Sequence, residues 1–281
     1  VAKATGILDA SEGCYTSISD RVVEKTGEKT GFPLVVSKAV LDVDYIINLP
    51  KFKTHGFMAV TGALKNIYGY VAGACKANLH LQGYNREGFA DVVCDIHALR
   101  PPDLHIMDAI TAIEGNGPCH GGQLRDVGKL MASKDPLALD SVMIRMMGAE
   151  PDAFPVQKQA IERGLGRSGV DEIDIQGPFE VIADFKLPVA FSQKQLTEEE
   201  IEKLKALYPP GMMNDRVAAK PLRDAAKCIS CGDCVINCPP QALSLEPEFD
   251  ITDKCIVCYC CVELCPEGAL AVPDIEAFRH W

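Results

Sequence analysis

Short apolar runs and helix-period stretches alternate along the first 208 residues. VDYIINL (43–49) is a run of β-branched and apolar residues that ends at a proline, the pattern of a buried strand. MAVTGALKNIYGYV (58–71) is helix-like, although its glycines weaken it. REGFADVVCDIHAL (86–99) predicts a helix, and the strands LHIMDA (104–109) and GKLMAS (128–133) follow. Asp135 then caps a helix that begins at Pro136 and runs to about Met147. DEIDIQG (171–177) and FEVIADF (179–185) predict a closing pair of strands. TEEEIEKLKALY (197–208) opens with a capping box of Thr197 and Glu200. Strands alternating with helices predict an α/β domain over residues 1–208, a mixed or parallel sheet with flanking helices. PPGMMNDRVAAKP (209–221) reads as a linker, and residues 222–281 as a second, smaller domain.

The smaller domain is a duplication. KCISCGDCVINCPPQALSL and KCIVCYCCVELCPEGALAV align at a period of 27 residues. Cys228, Cys231, Cys234 and Cys238 match Cys255, Cys258, Cys261 and Cys265, and Pro239 matches Pro266, so each half carries C-x2-C-x2-C-x3-C-P. Three cysteines in a tight loop direct thiolates at one cubane, and the fourth, beyond a short helical turn, points to the other. The spacing predicts two 4Fe–4S clusters in a small α+β ferredoxin-type fold. Cys228, Cys231, Cys234 and Cys265 would hold one cluster, and Cys255, Cys258, Cys261 and Cys238 the other. Zinc and disulfides are disfavoured, because zinc sites rarely repeat three cysteines at this double interval. Cys260 falls opposite Asp233 of the first repeat, which marks it as a thiol beside the cluster rather than a ligand. Its sharper readings are an alternate ligand or a redox-reactive thiol.

Composition adds compartment and charge. Nine of the thirteen cysteines lie between Cys228 and Cys265, a clustering that favours metal thiolates and a reducing, cytoplasmic setting. The net charge of −11 argues against a nucleic-acid binder dominated by phosphate contacts. From Cys228 to Trp281 there are nine acidic residues against Lys254 and Arg279, a net of −7 on the small module. No apolar stretch approaches the ~18 residues of a membrane span. VAKATGILDA shows no secretory signal and begins with Val1, which predicts that an N-terminal piece is missing.

Within the larger domain, Tyr45 to Arg86 contains no Asp or Glu over 42 residues, yet holds Lys51, Lys53, His55, Lys65, Lys76, His80 and Arg86. PKFKTHG follows the carboxyl end of a predicted strand and precedes a helix, where amino groups, glycine amides and a helix N-terminus would converge on an anion. Lys65 and Asn66 lie farther along that helix and would point back to the same crevice. The alternative is a solvated basic loop. His55 and His80 read equally as structural histidines or as acid/base groups. G-x4-G-K-[ST] does not occur, and the Gly-rich EGNGPCHGG (114–122) does not fit G-x-G-x-x-G, which disfavours a nucleoside-triphosphate hydrolase or a simple nicotinamide dehydrogenase. Cys94 reads as core, Cys14 is unassigned, and Cys75 with His80 and Cys119 with His120 are a side candidate for a third metal site.

DYIINLPKFKTHGFMAVTGALKNIYGYVAGACKANLH resembles the signature of the domain of unknown function 362 family, and IMDAITAIEGNGPCHGG and LMASKDPLALDSVMIRMMG resemble its later blocks in the same order. The C-terminal repeat is similar to the iron–sulfur tail that many members carry. The resemblance implies an iron–sulfur protein of anaerobic or facultative redox metabolism, without an established general reaction. It also implies an N-terminal strand and a Lys-Pro-Asn motif that this chain lacks, and smaller residues where Cys119 and His120 stand.

Two functions fit. In the first, the clusters pass electrons to or from an anionic substrate or cofactor, a flavin among the options, held near Lys51, Lys53, His55, Lys65, Asn66 and His80. Glu114 and Asn116 would form the opposite wall. In the second, the chain is an electron carrier or adaptor that docks a redox partner protein and has no chemistry of its own. A role in cluster assembly is a third, weaker option.

Overall fold

A computed structural model describes residues 22–72, 75–83, 85–118, 122–188, 191 and 220–271. A hairpin of β1 (Val22–Thr26) and β2 (Pro33–Ser37) leads into the short helix α1 (Lys38–Asp42). The strands β3 (Ile47–Asn48), β4 (Lys51–His55) and β5 (Ala59–Val60) follow, then α2 (Gly62–Asn66) with a 3-10 turn at Ile67–Tyr70. Next come α3 (Cys75–Gly83) and α4 (Arg86–Leu99), and the long hairpin of β6 (Leu104–Gly115) and β7 (Gly122–Ser133). The body closes with α5 (Pro136–Met146) and α6 (Pro155–Glu162). The small module comprises β8 (Leu222–Arg223), α7 (Asp233–Ile236), β9 (Leu243–Ser244), β10 (Asp250–Ile251), α8 (Cys260–Leu264) and β11 (Leu270–Ala271).

The body is an α/β domain built on one mixed sheet. β3 and β4 lie end to end along one edge of β6, both parallel to it, and β7 runs antiparallel along the other edge. β5 returns antiparallel on the end of β4. A bulge between Ala109 and Thr111 is matched on β7 by Gly128 at φ +70, a conformation that favours glycine. One apolar cluster on this sheet gathers Phe52, Val60, Met107, Ala112, Met143, Ile144 and Phe154. The other packs α4 against the turn after α2 through Leu64, Ile67, Phe89, Val93 and Ile96. This second cluster continues without a break into the small module, through Leu243, Val257, Tyr259, Val262 and Leu270. At about 1.5–3 kcal/mol for each fully buried large side chain, the two domains share a substantial part of their stability.

Several predicted elements are present with their expected signals. α4 has the predicted bounds, with the Asn85 side chain accepting from Gly88 N at 2.7 Å as its N-cap. Asp135 caps α5 by accepting from Ala138 N at 2.9 Å. β6 and β7 each extend beyond the predicted strand to twelve residues.

Other expectations are corrected. The strand at 43–49 shrinks to Ile47–Asn48, and Val43, Tyr45, Ile47 and Leu49 are exposed. Asp103 takes up the backbone before it, accepting from Ile46 N through its carboxylate and donating to Ile46 O, which fixes the approach without a ladder. PKFKTHG is not a loop but the strand β4, with Phe52 and Thr54 buried and Lys51 and Lys53 on the other face. The helix expected over 58–71 is broken by β5, by Gly62 at φ +60 and by the 3-10 turn. The strands expected at 171–185 do not form. Gly177 at φ +121 and Pro178 stand at their junction, and the backbone bonds of the segment close local turns (Ile173 N to Val170 O, Phe185 N to Ile182 O) or reach a helix end (Ile182 N to Met146 O), not a neighbouring strand. The helix at 197–208 lies outside the described residues, as does nearly all of the linker at 209–221.

Candidate functional site

The duplication is repeated in the backbone of the cysteine loops. Ser230 and Val257, Gly232 and Tyr259, and Gln241 and Gly268 are equivalent pairs, and all six have positive φ between 50° and 84°. Four of the six are not glycine, so both loops hold a costly turn of the same shape. Equivalent N–H groups serve equivalent sulfurs: Ala242 N donates to Cys238 Sγ and Ala269 N to Cys265 Sγ, each at 3.2 Å.

These turns gather the cysteines into two sets. One cavity is lined by Cys228, Cys231 and Cys234 together with Cys265 of the other repeat. On the other side, burial pushes the Cys261 thiol up, and Cys258, Cys255 and Cys238 around it push it further. Burial likewise raises Cys255, with Cys258 and Cys238 beside it. An all-thiolate set with backbone N–H donors to sulfur is the chemistry of an iron–sulfur cluster. Among the described residues, no three His, Cys, Asp or Glu side chains converge closely enough to hold a single metal ion. The Cys260 thiol donates to the Cys258 sulfur, which holds Cys258 below the usual thiol range and pushes Cys260 far above it.

The acid-free stretch of the body meets the second cysteine loop directly. His55, at the end of β4, is 3 % exposed, and its Nε2 lies 3.1 Å from Oε1 of Glu263 on α8. Its Nδ1 accepts from Phe57 N at 3.2 Å and more weakly from Met58 N at 3.4 Å, which leaves the proton on Nε2 to be donated to Glu263. Burial and then the charge of Lys65 lower the His55 pKa to about 4, against the opposing pull of Glu263. The imidazole is therefore neutral at pH 7. Glu263 is raised by burial, yet its hydrogen bond from His55 and the charges of His55, Lys65 and His80 hold it low, at about 2. Lys65 on α2 is half-buried, and burial lowers its pKa while Glu263 opposes that. His80 on α3 stacks on Phe89 with ring centroids 4.1 Å apart, and its buried Nδ1 has no hydrogen-bond partner. Burial, with Lys65 and His55 nearby, lowers its pKa to about 3.

The predicted site residues therefore divide. His55, Lys65 and His80 come together beside Glu263, and the charge of Lys53 also reaches His55 and Lys65. Lys51 is directed away, into an ion pair with Asp108 at 2.7 Å on the sheet. Asn66 donates to Asn48 Oδ1 at 2.7 Å, within a network that includes His105, and does not face the crevice. Glu114 is buried under the strap after α6, accepting from Lys186 N at 3.2 Å. Asn116 sits half-buried at the end of β6. Gly117, the next residue, accepts from Gly56 N at 2.8 Å through its carbonyl. Cys94 is core, and Cys75 is half-buried near Tyr68. Cys14, Cys119 and His120 lie outside the described residues.

Sequence reasoning missed Glu263 and Tyr259. Tyr259 is 7 % exposed, joins the shared apolar cluster and faces Gly56. The signal was in the duplication: Glu263 stands opposite Ile236 and Tyr259 opposite Gly232, so the repeats differ where the second one meets the body.

The family described as domain of unknown function (DUF362) matches residues 1–145, and a 4Fe-4S dicluster domain matches residues 220–266. A thylakoid-associated protein of Synechocystis sp. is 37 % identical over 158 residues, covering 55 % of this chain and 49 % of its own length. The chain thus spans about half the length of that relative. No solved structure matches the chain. Among the described residues, no helix is long and apolar enough to cross a membrane.

Proposed function

The chain belongs to the domain of unknown function 362 family and carries a 4Fe–4S electron-transfer domain, and from this we propose that it moves electrons between two clusters and an anion-binding site in its α/β body. The ligand sets are Cys228, Cys231, Cys234 and Cys265 for the first cluster, and Cys255, Cys258, Cys261 and Cys238 for the second. The clusters, when bound, supply single-electron transfer. The observation that supports the rest is the contact between His55 and Glu263, which sets the basic stretch against the loop of the second ligand set.

In this reading His55 is a neutral donor that fixes Glu263 and closes the seam between the domains. Lys65 and Lys53 supply positive charge for an anionic substrate or cofactor and offset the charge that arrives on reduction. His80 presents a buried, unpartnered nitrogen to the same region. A flavin is one acceptor compatible with such a site.

Anaerobically purified protein tests the reading in two steps. About eight irons per chain are expected, and zinc in their place would overturn the ligand assignment. Cys261→Ser should lose or degrade one cluster, whereas Cys260→Ser should keep both. Titrating small anions (nitrite, sulfite, acetate) into the reduced protein should perturb the paramagnetic signal of one cluster, and Lys65→Gln should remove that response. A signal insensitive to every anion, in wild type and variant alike, would leave an electron carrier without a site of its own.

A further inference from the structure

The small module has two equivalent faces, and the body occupies one of them. The pairs Gly232 and Tyr259, Asp233 and Cys260, and Ile236 and Glu263 have the same places in the repeat, and the backbone turns through Gly232 and Tyr259 have the same hand. Around α8, Tyr259 is buried against the body and Glu263 is tied to His55. Around α7 the corresponding side chains meet no such partner among the described residues. Ile236 is 79 % exposed and Ile229 62 %.

Access to the cysteines differs in the same way. Cys258 and Cys261 of the second repeat are buried, while Cys231 of the first is exposed. Gly232 offers no side chain where Tyr259 covers the second loop, and a Cβ placed there would meet only the end of Ile236. Single exposed isoleucines are ordinary on protein surfaces. Two of them beside an exposed cysteine of a candidate cluster are placed where a second protein would need to come close. The surroundings are acidic. Asp233, Glu246, Glu248 and Glu267 are all exposed, and Leu245 and Phe249, which flank the glutamates at 246 and 248, line the cavity of Cys228, Cys231, Cys234 and Cys265.

Building on the electron-transfer reading above, we propose that the face formed by Ile229, Gly232, Asp233 and Ile236 docks a one-electron carrier protein that has an apolar centre and a lysine- or arginine-rich rim. The first ligand set would be the external terminal of the chain and the second the internal one. The duplication then has a division of labour: one copy of the face has diverged toward the chain's own body, with Tyr259 and Glu263, and the other has stayed open. The rim would steer the encounter and set its salt dependence, and the two isoleucines would fill the centre of the contact.

The test uses the reduced holoprotein and a lysine-rich c-type cytochrome as the electron-accepting probe, with rates measured by stopped flow. At low salt, Asp233→Lys/Glu248→Lys should slow reduction of the cytochrome by roughly tenfold or more, an effect that added salt diminishes. The control, Glu162→Lys/Asp171→Lys, makes the same change in net charge on exposed positions of the body and should slow it far less. Ile236→Ser should slow the reaction at every salt concentration. Iron content and cluster absorbance should match wild type in all variants. Equal slowing by the two charge reversals, or no effect of Ile236→Ser, would overturn the docking face. Failure of the wild-type clusters to be reduced and reoxidised by small reagents would instead overturn the electron-transfer reading on which it rests.

Discussion

Asp140 provides a quantitative test of how the body holds its site. Its carboxylate is fully buried on α5 and accepts from Ala63 N at 2.5 Å, Leu64 N at 3.1 Å and Gln157 Nε2 at 3.2 Å. It thereby anchors the start of α2, the helix that carries Lys65. Burial raises its pKa, and those three hydrogen bonds only partly oppose this, leaving it at about 7 against 3.8 for an ordinary aspartate. The folded state binds the proton more tightly than the unfolded chain. The contribution to stability is therefore fully present below about pH 4 and is lost as pH rises to about 7. The whole shift corresponds to about 4 kcal/mol, of which about 2–3 kcal/mol falls between about pH 5 and about pH 8. At about 2–4 °C per kcal/mol for a chain of this size, that is a drop of roughly 5–10 °C in melting temperature. Asp140→Asn keeps the shape but cannot ionise, so its pH profile should lack this component. Thermal unfolding followed by near-ultraviolet circular dichroism under anaerobic conditions, at both pH values, measures the difference. The variant should be the less stable protein at the lower pH, because its amide cannot accept all three donors, and the gap should close or reverse at the higher one. Parallel profiles for wild type and variant would refute the reasoning.

Three further outcomes follow from the same structure. The contact between His55 and Glu263 should show a coupling of about 1–2 kcal/mol in a double-mutant cycle of His55→Ala and Glu263→Ala, read by thermal unfolding; additive losses would mean that the contact does not join the domains. Asp95→Ala should destabilise by about 3–5 kcal/mol, since the buried carboxylate holds Thr30 and, at 2.8 Å, Arg163, whose charge would be left without it; a melting temperature within a few degrees of wild type would count against this. Gly62→Ala should cost about 2 kcal/mol or more, because the backbone sits at φ +60 and the added methyl would meet the Asp140 carboxylate. Asp140→Gly in the same chain should relieve part of that loss, and a double variant no better than the sum of its parts would remove the steric explanation.

What the chain revealed before its structure depended on the range of the interactions involved. The cysteine spacing and the Asp135–Pro136 helix start are local chemistry, and both were legible. β4 was misread because Pro50 and two lysines look like a loop, whereas its pairing with β6 and the burial of Phe52 are decided by residues far away in the sequence. The failed strands at 171–185 show the reverse: their alternating apolar residues are real and pack on the sheet, but alternation cannot supply a pairing edge. Of the candidate site, the acid-free stretch marked the part of the body that meets the second cysteine loop, while charge counting could not separate Lys65, which faces Glu263, from Lys51, which faces Asp108. Glu263 carried no such mark on its own and became meaningful only beside Ile236.

The unbroken apolar cluster that runs from α4 into the cysteine loops also bears on the birth of the protein. The turns at Val257 and Tyr259 place those two side chains in the same cluster as the body's Phe57, Tyr68 and Phe89, so a chain that gave up the turns would open that cluster. If cluster binding is what holds those turns, unfilled copies would display a greasy, protease-sensitive flank, while filled copies would hide it. Limited proteolysis of iron-starved and iron-replete protein should show that contrast within the body itself, far along the chain from any cysteine ligand, and equal cleavage of the two would show that the body matures alone.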